Sequence, residues 1–297
     1  MMEIVVLYGG ESAERAVSLV SGERVAAALT AAGHKATLLD YMGEPLRGEH
    51  LSALRQVDAV FLALHGGRGE NGGLQAELEA KDIWHYTGSD PVAAALAMDK
   101  PLAKKLVALK GVPVARGGIL SPDATEPPLP FPFVLKPIAG GSSVGLQCIK
   151  TPEDWQKVTP FAGILYEEYL PGREYTVGIL DGELLPAVEI CPLEGEYDYA
   201  HKYEPGASRE ICPAPLPPHR AKALAELAAG AFRALGLRDY GRIDVREDAE
   251  GRFCFLEANT LPGMTPTSLF PLAAATAGYD FTTLCERMAI LAKKRKK

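Results

Sequence analysis

The chain has 297 residues, 47% of them hydrophobic and 23% charged, a length that predicts two or three compact domains. Its formal net charge of −7 argues against a nucleic-acid partner, because no basic field would attract a phosphate backbone. With no CxxC pair among the five cysteines, no basic segment before the first strand and no apolar run of ~18 residues, we expect a cytoplasmic protein without a membrane partner.

The N-terminal region reads as alternating strands and helices. A buried-type strand is predicted over residues 3–8, and a helix with Ser12 as its N-cap runs to Gly33, a residue suited to ending a helix. Further strands are predicted at Lys35–Tyr41 and Val57–Leu64. This order predicts a parallel sheet covered on both faces, with ligands beyond the carboxyl ends of its strands.

Two loops fall at those strand ends, Gly9–Glu14 and His65–Gly73. His65 is either a donor to a ligand or a histidine that caps a strand end, and the sequence leaves both readings open. Glu14 lies in the first turn of a helix, where the helix dipole favours an acid in any case. Gly67–Gly72 matches GxGxxG, but it follows a later strand than the dinucleotide fingerprint requires. NAD-linked chemistry is therefore a minor alternative.

The middle of the chain carries a Gly/Ser-rich loop. One helix is predicted over Asp90–Lys110, and short strands at Phe133–Lys136 and Gln147–Lys150 flank the loop at 140–145. Such a loop offers N–H and hydroxyl groups to phosphate, although it is not a Walker A motif and a flexible hairpin is the alternative. Lys136 favours the phosphate site, because burying a lysine on an apolar strand costs free energy unless it meets an anion.

Beyond this loop, Thr151 is a predicted helix cap and Ile164–Glu168 a predicted strand. A further strand segment is predicted over 174–190, turning at Asp181–Gly182. Residues 193–215 lack periodicity and exceed the usual loop length. Long loops of this kind are commonly lids over a site.

The segment Gly241–Met264 carries the most informative chemical pattern. Arg242 and Asp244 lie two apart, as do Glu257 and Asn259, and residues two apart on a strand point to the same face. The pattern predicts a hairpin with all four on one face, whose oxygen ligands suit Mg²⁺ with substrate phosphates. A surface hairpin with solvated charges is the alternative. The Pro-Gly loop that follows favours a metal–phosphate site.

Seven segments in this order resemble one family: GGESAERAVSL, ALHGGRGENGGLQ, MDK, VLKPIAGGSSVG, DYAHKY, GRIDV and LEANTLPGMTPTSL. Together they resemble the D-alanine–D-alanine ligases of the ATP-grasp superfamily over essentially the whole chain. The resemblance implies an α/β, three-domain ATP-grasp fold in which two α+β domains enclose ATP. The implied domains are a Rossmann-like domain at 1–89, a central subdomain at 90–170, and a catalytic domain at 171–297 with a lid at 193–215.

The resemblance also implies the site residues. ATP would be bound by Lys100, Lys136, Ser142, Ser143, Glu167, Tyr169, Leu170, Glu174 and Lys202. Two Mg²⁺ ions, with Mn²⁺ as a substitute, would be held by Asp244, Glu257 and Asn259. D-Alanine would be bound by Glu14, His65, Arg242, Gly263, Ser268 and Leu269. The catalytic network would comprise Glu14, Ser142, Lys202, Tyr203 and Arg242.

The implied reaction joins two D-alanine molecules through an acyl phosphate, releasing ADP and phosphate, in a homodimer that supplies peptidoglycan precursors. Tyr203 in the lid favours an amine acceptor, while Glu168 adds a second acid beside the expected adenine site. One alternative is an ATP-grasp ligase with another acceptor, such as a depsipeptide former. Another is a catalytically silent nucleotide-binding protein, although every implied catalytic position carries a competent residue.

Overall fold

The structure, a computed structural model, describes residues 1–138, 145–160, 162–192 and 208–295. These residues form a parallel sheet of three strands and two further sheets of four and six strands. Both larger sheets are antiparallel. None of the helices in this part of the chain is long and apolar enough to cross a membrane.

The N-terminal sheet has the order β2-β1-β3, with β1 at Glu3–Gly9, β2 at Lys35–Tyr41 and β3 at Ala59–Leu62. All pairs are parallel, which confirms the predicted sheet. β3 is shorter than the predicted strand over Val57–Leu64. β2 is mostly exposed at the sheet edge, so the expectation of a sheet covered on both faces is wrong for this strand.

Helix α1 covers Arg15–Ala31, and Gly33 follows its end with φ of +83° as predicted. The prediction of Ser12 as the N-cap is wrong, because the helix begins three residues later. The Ser12 hydroxyl instead accepts a hydrogen bond from the Glu14 N–H and donates one to the His65 carbonyl. It thereby ties together the two loops at the carboxyl ends of β1 and β3.

The single helix predicted over Asp90–Lys110 is also wrong. Two helices occupy this segment, α5 at Pro91–Met98 and α6 at Lys100–Leu109. Asp99 between them leaves the helical region with ψ of 91° and accepts a hydrogen bond from the Leu102 N–H. The proline that follows Lys100 explains the break, because it removes a helical donor and crowds the preceding turn. Helices α2, α3 and α4 precede them at Gly48–Arg55, Gly67–Glu70 and Gly73–Ala80.

The four-stranded sheet has the order β4-β7-β5-β6. Its strands are β4 at Gly117–Ile119, β5 at Phe133–Pro137, β6 at Gln147–Ile149 and β7 at Ile164–Glu168. Helix α7 at Pro152–Trp155 starts from a capping box formed by Thr151 and Asp154, which confirms the predicted cap. This sheet has a small core of its own, built from Leu120, Phe133, Leu135, Ile149, Trp155 and Ile164.

The six-stranded sheet has the order β11-β10-β8-β12-β13, with β9 paired to β8. Its strands are β8 at Glu174–Leu180, β9 at Glu183–Leu184, β10 at Val188–Pro192, β11 at Ser208–Ile211, β12 at Tyr240–Glu247 and β13 at Phe253–Asn259. Asp181 and Gly182 both have positive φ, as the predicted tight turn requires. β11 occupies part of the predicted lid, and residues 193–207 of that lid lie outside the described residues.

The last helices pack the C-terminal part of the chain against the N-terminal sheet. They are α8 at Pro218–Ala234, α9 at Leu269–Thr276 and α10 at Phe281–Lys294. α10 contacts both α1 and β3, and buried residues of α9 and α10 belong to the same core as the first sheet. Helices α5 and α6 share a core with the six-stranded sheet. The domain limits after residues 89 and 170 stay predictions.

The contact between α1 and β1 yields a stability prediction. A Cβ on Gly22 would lie 2.4 Å from the Tyr8 Cβ, so Gly22→Ala should lower the free energy of unfolding by about 1–3 kcal/mol. Gly230→Ala in α8 is the control, because its Cβ would meet only the Val112 side chain, at 3.3 Å. There the better helix propensity of alanine should leave stability unchanged or raised. Urea unfolding measures both, and equal effects would contradict the steric argument.

Candidate active site

The predicted hairpin of β12 and β13 places its four polar residues as expected. Arg242 pairs with Asn259 and Asp244 pairs with Glu257 in the antiparallel register, and an irregularity follows Asp244. Paired residues in adjacent strands point to the same face. Because each strand also has a period of two, the four side chains share one face. All four line a cleft.

Asp244 is the most enclosed of these groups, with a relative exposure of 5%. The Arg242 guanidinium contacts both carboxylate oxygens, at 2.9 and 3.1 Å. The Thr176 hydroxyl donates to Oδ1 at 2.7 Å, and the Asn259 amide donates to Oδ2 at 3.0 Å. These donors offset the free energy that burying a carboxylate costs.

The oxygen ligands of the hairpin suit an Mg²⁺ ion that takes its remaining ligands from the substrate. They are too few for a metal site in which the protein supplies every ligand. Asp244, Glu257 and Asn259 offer two carboxylates and one amide oxygen. Among the described residues no group of three or more His, Cys, Asp or Glu could hold a metal ion. Mg²⁺ characteristically takes few protein carboxylates and completes its shell with water and phosphate.

Two lysines of α6 lie beside this hairpin. Lys100, at the first position of the helix, places its ammonium 3.7 Å from the Glu257 carboxylate. Lys104, one turn later, is buried and donates to the Phe255 carbonyl on β13 at 3.1 Å. It also lies 2.7 Å from Glu167 Oε1 as an ion pair. Lys104 was absent from the sequence prediction, although its i,i+4 spacing from Lys100 placed it on the same helix face.

Lys136 on β5 meets an anion, as the sequence predicted, and that anion is a side chain of the protein. Its ammonium lies 2.6 Å from Oε2 of Glu167 on the neighbouring strand β7. Burial alone would raise the pKa of Glu167, but Lys104 and Lys136 outweigh it and hold that pKa below its ordinary value. Burial, and then the charge of Lys136, lower the pKa of Lys104 to about 8. Glu167 is therefore ionised between two ammonium groups.

The residues expected around the base and ribose follow β7. Leu170 is buried against Cys254, and the Tyr169 ring lies 5.7 Å from the Arg246 guanidinium carbon. Glu174 opens β8, pairs with Arg246 at 3.6 Å and lines the same cleft as the hairpin residues. Of these three residues, Glu174 lines the cleft, and the contacts of Tyr169 and Leu170 lie outside its lining.

The N-terminal loops contribute Glu14, His65 and Glu70 to the lining of the same cleft. His65 is buried, and burial lowers its pKa. Glu70 accepts hydrogen bonds from the N–H groups of Gly66 at 2.9 Å and Leu261 at 3.2 Å. Burial, followed by the charge of Glu14, raises the pKa of Glu70 to about 7. The sequence analysis did not predict Glu70 as a cleft residue, because the glycines around it were interpreted as a possible dinucleotide motif.

The loop after β13 closes the cleft with Gly263, Ser268 and Leu269. Ser268 Oγ accepts a hydrogen bond from the Thr265 N–H at 2.9 Å. A Cβ on Gly263 would lie 2.7 Å from that same Oγ, so this position requires glycine unless Ser268 moves. The structure thereby brings together the predicted substrate residues Glu14, His65, Arg242, Gly263, Ser268 and Leu269. The predicted Ser142, Ser143, Lys202 and Tyr203 lie outside the described residues.

Two antiparallel sheets that are both contacted by the buried Lys104, with a carboxylate hairpin facing a cleft, form the ATP-grasp arrangement. Residues 120–290, more than half of the chain, match the family model described as D-ala D-ala ligase C-terminus. The D-alanine–D-alanine ligase of Granulibacter bethesdensis is 44% identical over 296 residues, covering 96% of both chains. The chain belongs to the D-alanine–D-alanine ligase family.

Solved structures agree with this assignment. The D-alanine–D-alanine ligase of Bacillus anthracis is 29% identical, with a TM-score of 0.85 over 99% of both chains. The structure of the same ligase complexed with ATP gives 26% identity and a TM-score of 0.83, again over 99% of both chains. The VanG D-Ala:D-Ser ligase of Enterococcus faecalis gives 26% and 0.81, over 98% of this chain and 99% of that one.

The raised pKa of Glu70 predicts a pH-dependent contribution to stability. Between about pH 4.5 and 7 the folded protein retains a proton that the unfolded chain has released, so this contribution falls as pH rises. The change amounts to at most roughly 3 kcal/mol. Urea unfolding at pH 5 and pH 7.5 should show this slope in the wild type and a smaller one in Glu70→Gln. The exposed control Glu226→Gln should keep the wild-type slope, and equal slopes in all three proteins would contradict the assignment.

Proposed function

We propose that the protein joins two D-alanine molecules to D-alanyl-D-alanine at the expense of ATP, through an acyl phosphate, releasing ADP and phosphate. The observation that carries the proposal is the shared face of Arg242, Asp244, Glu257 and Asn259 beside Lys100. The names of the relatives and the ATP complex of a structural neighbour support it. The product would serve cell-wall precursor synthesis, in a cytoplasmic homodimer.

On the nucleotide side, positively charged lysine side chains would lie beside the phosphates of ATP. Lys100 and Lys136, with Ser142, Ser143 and Lys202, would contact the phosphates and adenine of ATP. Glu167, Tyr169 and Leu170 would face the adenine edge, and Glu174 the ribose. Lysines near the transferring group neutralise charge that develops there. Lys104 would hold Glu167 in place by the ion pair already described.

Asp244, Glu257 and Asn259 would hold two Mg²⁺ ions, with Mn²⁺ as a substitute. Bound Mg²⁺ would supply charge neutralisation at the phosphoryl oxygens. The Asn259 amide nitrogen donates to Asp244, which directs its carbonyl oxygen away from that carboxylate. The residues therefore offer hard oxygen ligands on one face, as Mg²⁺ requires.

On the amino-acid side, Glu14 would bind the ammonium of the first D-alanine. A carboxylate oxygen of that D-alanine would attack the γ-phosphorus of ATP and release ADP, because a free carboxylate is a poor acyl donor and an acyl phosphate is a good one. The amine of the second D-alanine then attacks the carbonyl carbon, and phosphate leaves after the amine loses a proton. Arg242 and the Gly263 N–H would stabilise the oxyanion of the tetrahedral intermediate.

The acceptor site would be built from Ser268 and Leu269 at the start of α9, which would bind the second D-alanine by its carboxylate. Glu14, Ser142 and Tyr203 would link the substrate loop, the phosphate loop and the lid by hydrogen bonds. Closure of that lid would keep water from hydrolysing the acyl phosphate.

A ligase with a different acceptor is the second candidate, because one structural neighbour is a D-Ala:D-Ser ligase. An assay of phosphate release from Mg-ATP separates the two. We expect release with D-alanine and little with L-alanine, and a dipeptide as product. Preferred formation of D-alanyl-D-serine or D-alanyl-D-lactate in mixtures with D-alanine would favour the second candidate. ATP binding without release under any condition would exclude both.

The metal assignment predicts the effect of Glu257→Gln. Loss of one carboxylate ligand removes several kcal/mol of charge stabilisation, so we expect kcat to fall roughly 10²- to 10³-fold. Glu250→Gln, at the exposed turn of the same hairpin, is the matched control and should keep wild-type kcat. Near-normal turnover of Glu257→Gln at limiting Mg²⁺ would refute the role of this carboxylate.

A further inference from the structure

One hydrogen-bonded chain fixes both ends of the loop Leu261–Met264, which carries the Gly263 N–H. At one end the Leu261 carbonyl lies 3.0 Å from His65 Nδ1. The other ring nitrogen, Nε2, lies 3.0 Å from the Ser21 hydroxyl. At the far end that hydroxyl accepts from the Met264 N–H at 3.2 Å. Ser21, on α1, and His65, after β3, thus join two points of the loop that are three residues apart.

The chemistry of these groups sets the direction of every hydrogen bond. The Leu261 carbonyl can only accept, so His65 Nδ1 carries a hydrogen. Burial lowers the pKa of His65, so the ring is neutral and Nε2 is an acceptor. The Ser21 hydroxyl therefore donates to Nε2, and its oxygen remains available to the Met264 N–H. Both ring nitrogens of His65 are then used by groups of the protein.

Two further contacts hold the same end residues. The Leu261 N–H donates to Glu70 Oε1 at 3.2 Å, and Arg24 donates to the Met264 carbonyl. Because Pro262 has no N–H, Gly263 carries the one amide hydrogen between the fixed ends. No described residue accepts a hydrogen bond from it. The loop thus presents one N–H group to the cleft from a backbone that is fixed on both sides.

We propose that Ser21 and His65 are positioning residues that hold the Gly263 N–H at the oxyanion of the reaction, an inference that rests on the proposed function. His65 acts through the loop and does not itself bind D-alanine. A preorganised donor is effective only if it needs no reorganisation when charge develops. A displacement of about 1 Å can cost up to roughly 100-fold in rate. A hydrogen-bonded link across the base of the loop prevents such a displacement.

The test compares Ser21→Ala with Ser18→Ala. Both serines are fully buried on the same face of α1, but the Ser18 hydroxyl bonds to Gly9 and Ala63 and does not contact the loop. Hydrogen exchange of residues 261–264 is measured in the full-length protein without ligands. We expect the Met264 amide to exchange at least about 10-fold faster in Ser21→Ala and at the wild-type rate in Ser18→Ala.

Kinetics of dipeptide formation supply the second readout. Ser21→Ala should lower kcat by about 10- to 100-fold with the KM for ATP unchanged, because the Ser21 hydroxyl bonds to His65 and Met264, neither of which is assigned to ATP. A loss of stability alone would not combine faster exchange at Met264 with a lower kcat and an unchanged KM for ATP. Unchanged exchange at Met264, or faster exchange with an unchanged kcat, would overturn the proposal. If the wild type makes no dipeptide, the proposed function fails, whereas the exchange result still decides whether the hydrogen-bonded chain holds the loop.

Discussion

A single buried ammonium connects the two antiparallel sheets of this protein. Lys104 contacts Glu167 on the four-stranded sheet and the Phe255 carbonyl on the six-stranded sheet. It comes from α6, whose apolar side packs in the core of the six-stranded sheet. Removing the Glu167 carboxylate would leave the Lys104 ammonium buried without its counter-charge, which costs about 3–5 kcal/mol in comparable pairs. Removing Lys104 would still leave Glu167 paired with Lys136. The ion pair of Lys104 and Glu167 therefore links the two sheets through a buried contact whose strength depends on the Glu167 carboxylate.

The same reasoning explains why Lys136 is tolerated on β5. Lys104 and Lys136 share the Glu167 carboxylate, so the three groups carry a net charge of +1 when all are ionised. Burial disfavours this net positive charge, and the pKa of Lys104 is lowered for that reason. A polyanion brought near the two ammonium groups would relieve it. The cluster thus supports the proposed binding of ATP phosphates by electrostatics as well as by family resemblance.

Sequence patterns predicted the local parts of this arrangement and missed the distant ones. The period of two in Arg242–Asp244 and Glu257–Asn259 placed four side chains on one face, because strand geometry depends only on neighbouring residues. The contact between Ser21 and Met264 spans 243 positions, and no local pattern encodes such a pair. The helix break at Asp99 is a local feature that the proline two residues later indicates, and the predicted single helix did not take that proline into account.

The cleft is lined by several carboxylates and by the Arg242 guanidinium. Glu14 and Glu70 come from the N-terminal loops, and their mutual repulsion contributes to the raised pKa of Glu70. Arg242 faces them from the hairpin and is itself paired with Asp244. An amino-acid zwitterion placed between Glu14 and Arg242 would have its ammonium drawn towards the carboxylate and its own carboxylate towards the guanidinium. The carboxylate is the group that must reach the phosphoryl donor, so this electrostatic orientation would select the reactive end of the substrate before any chemical step begins.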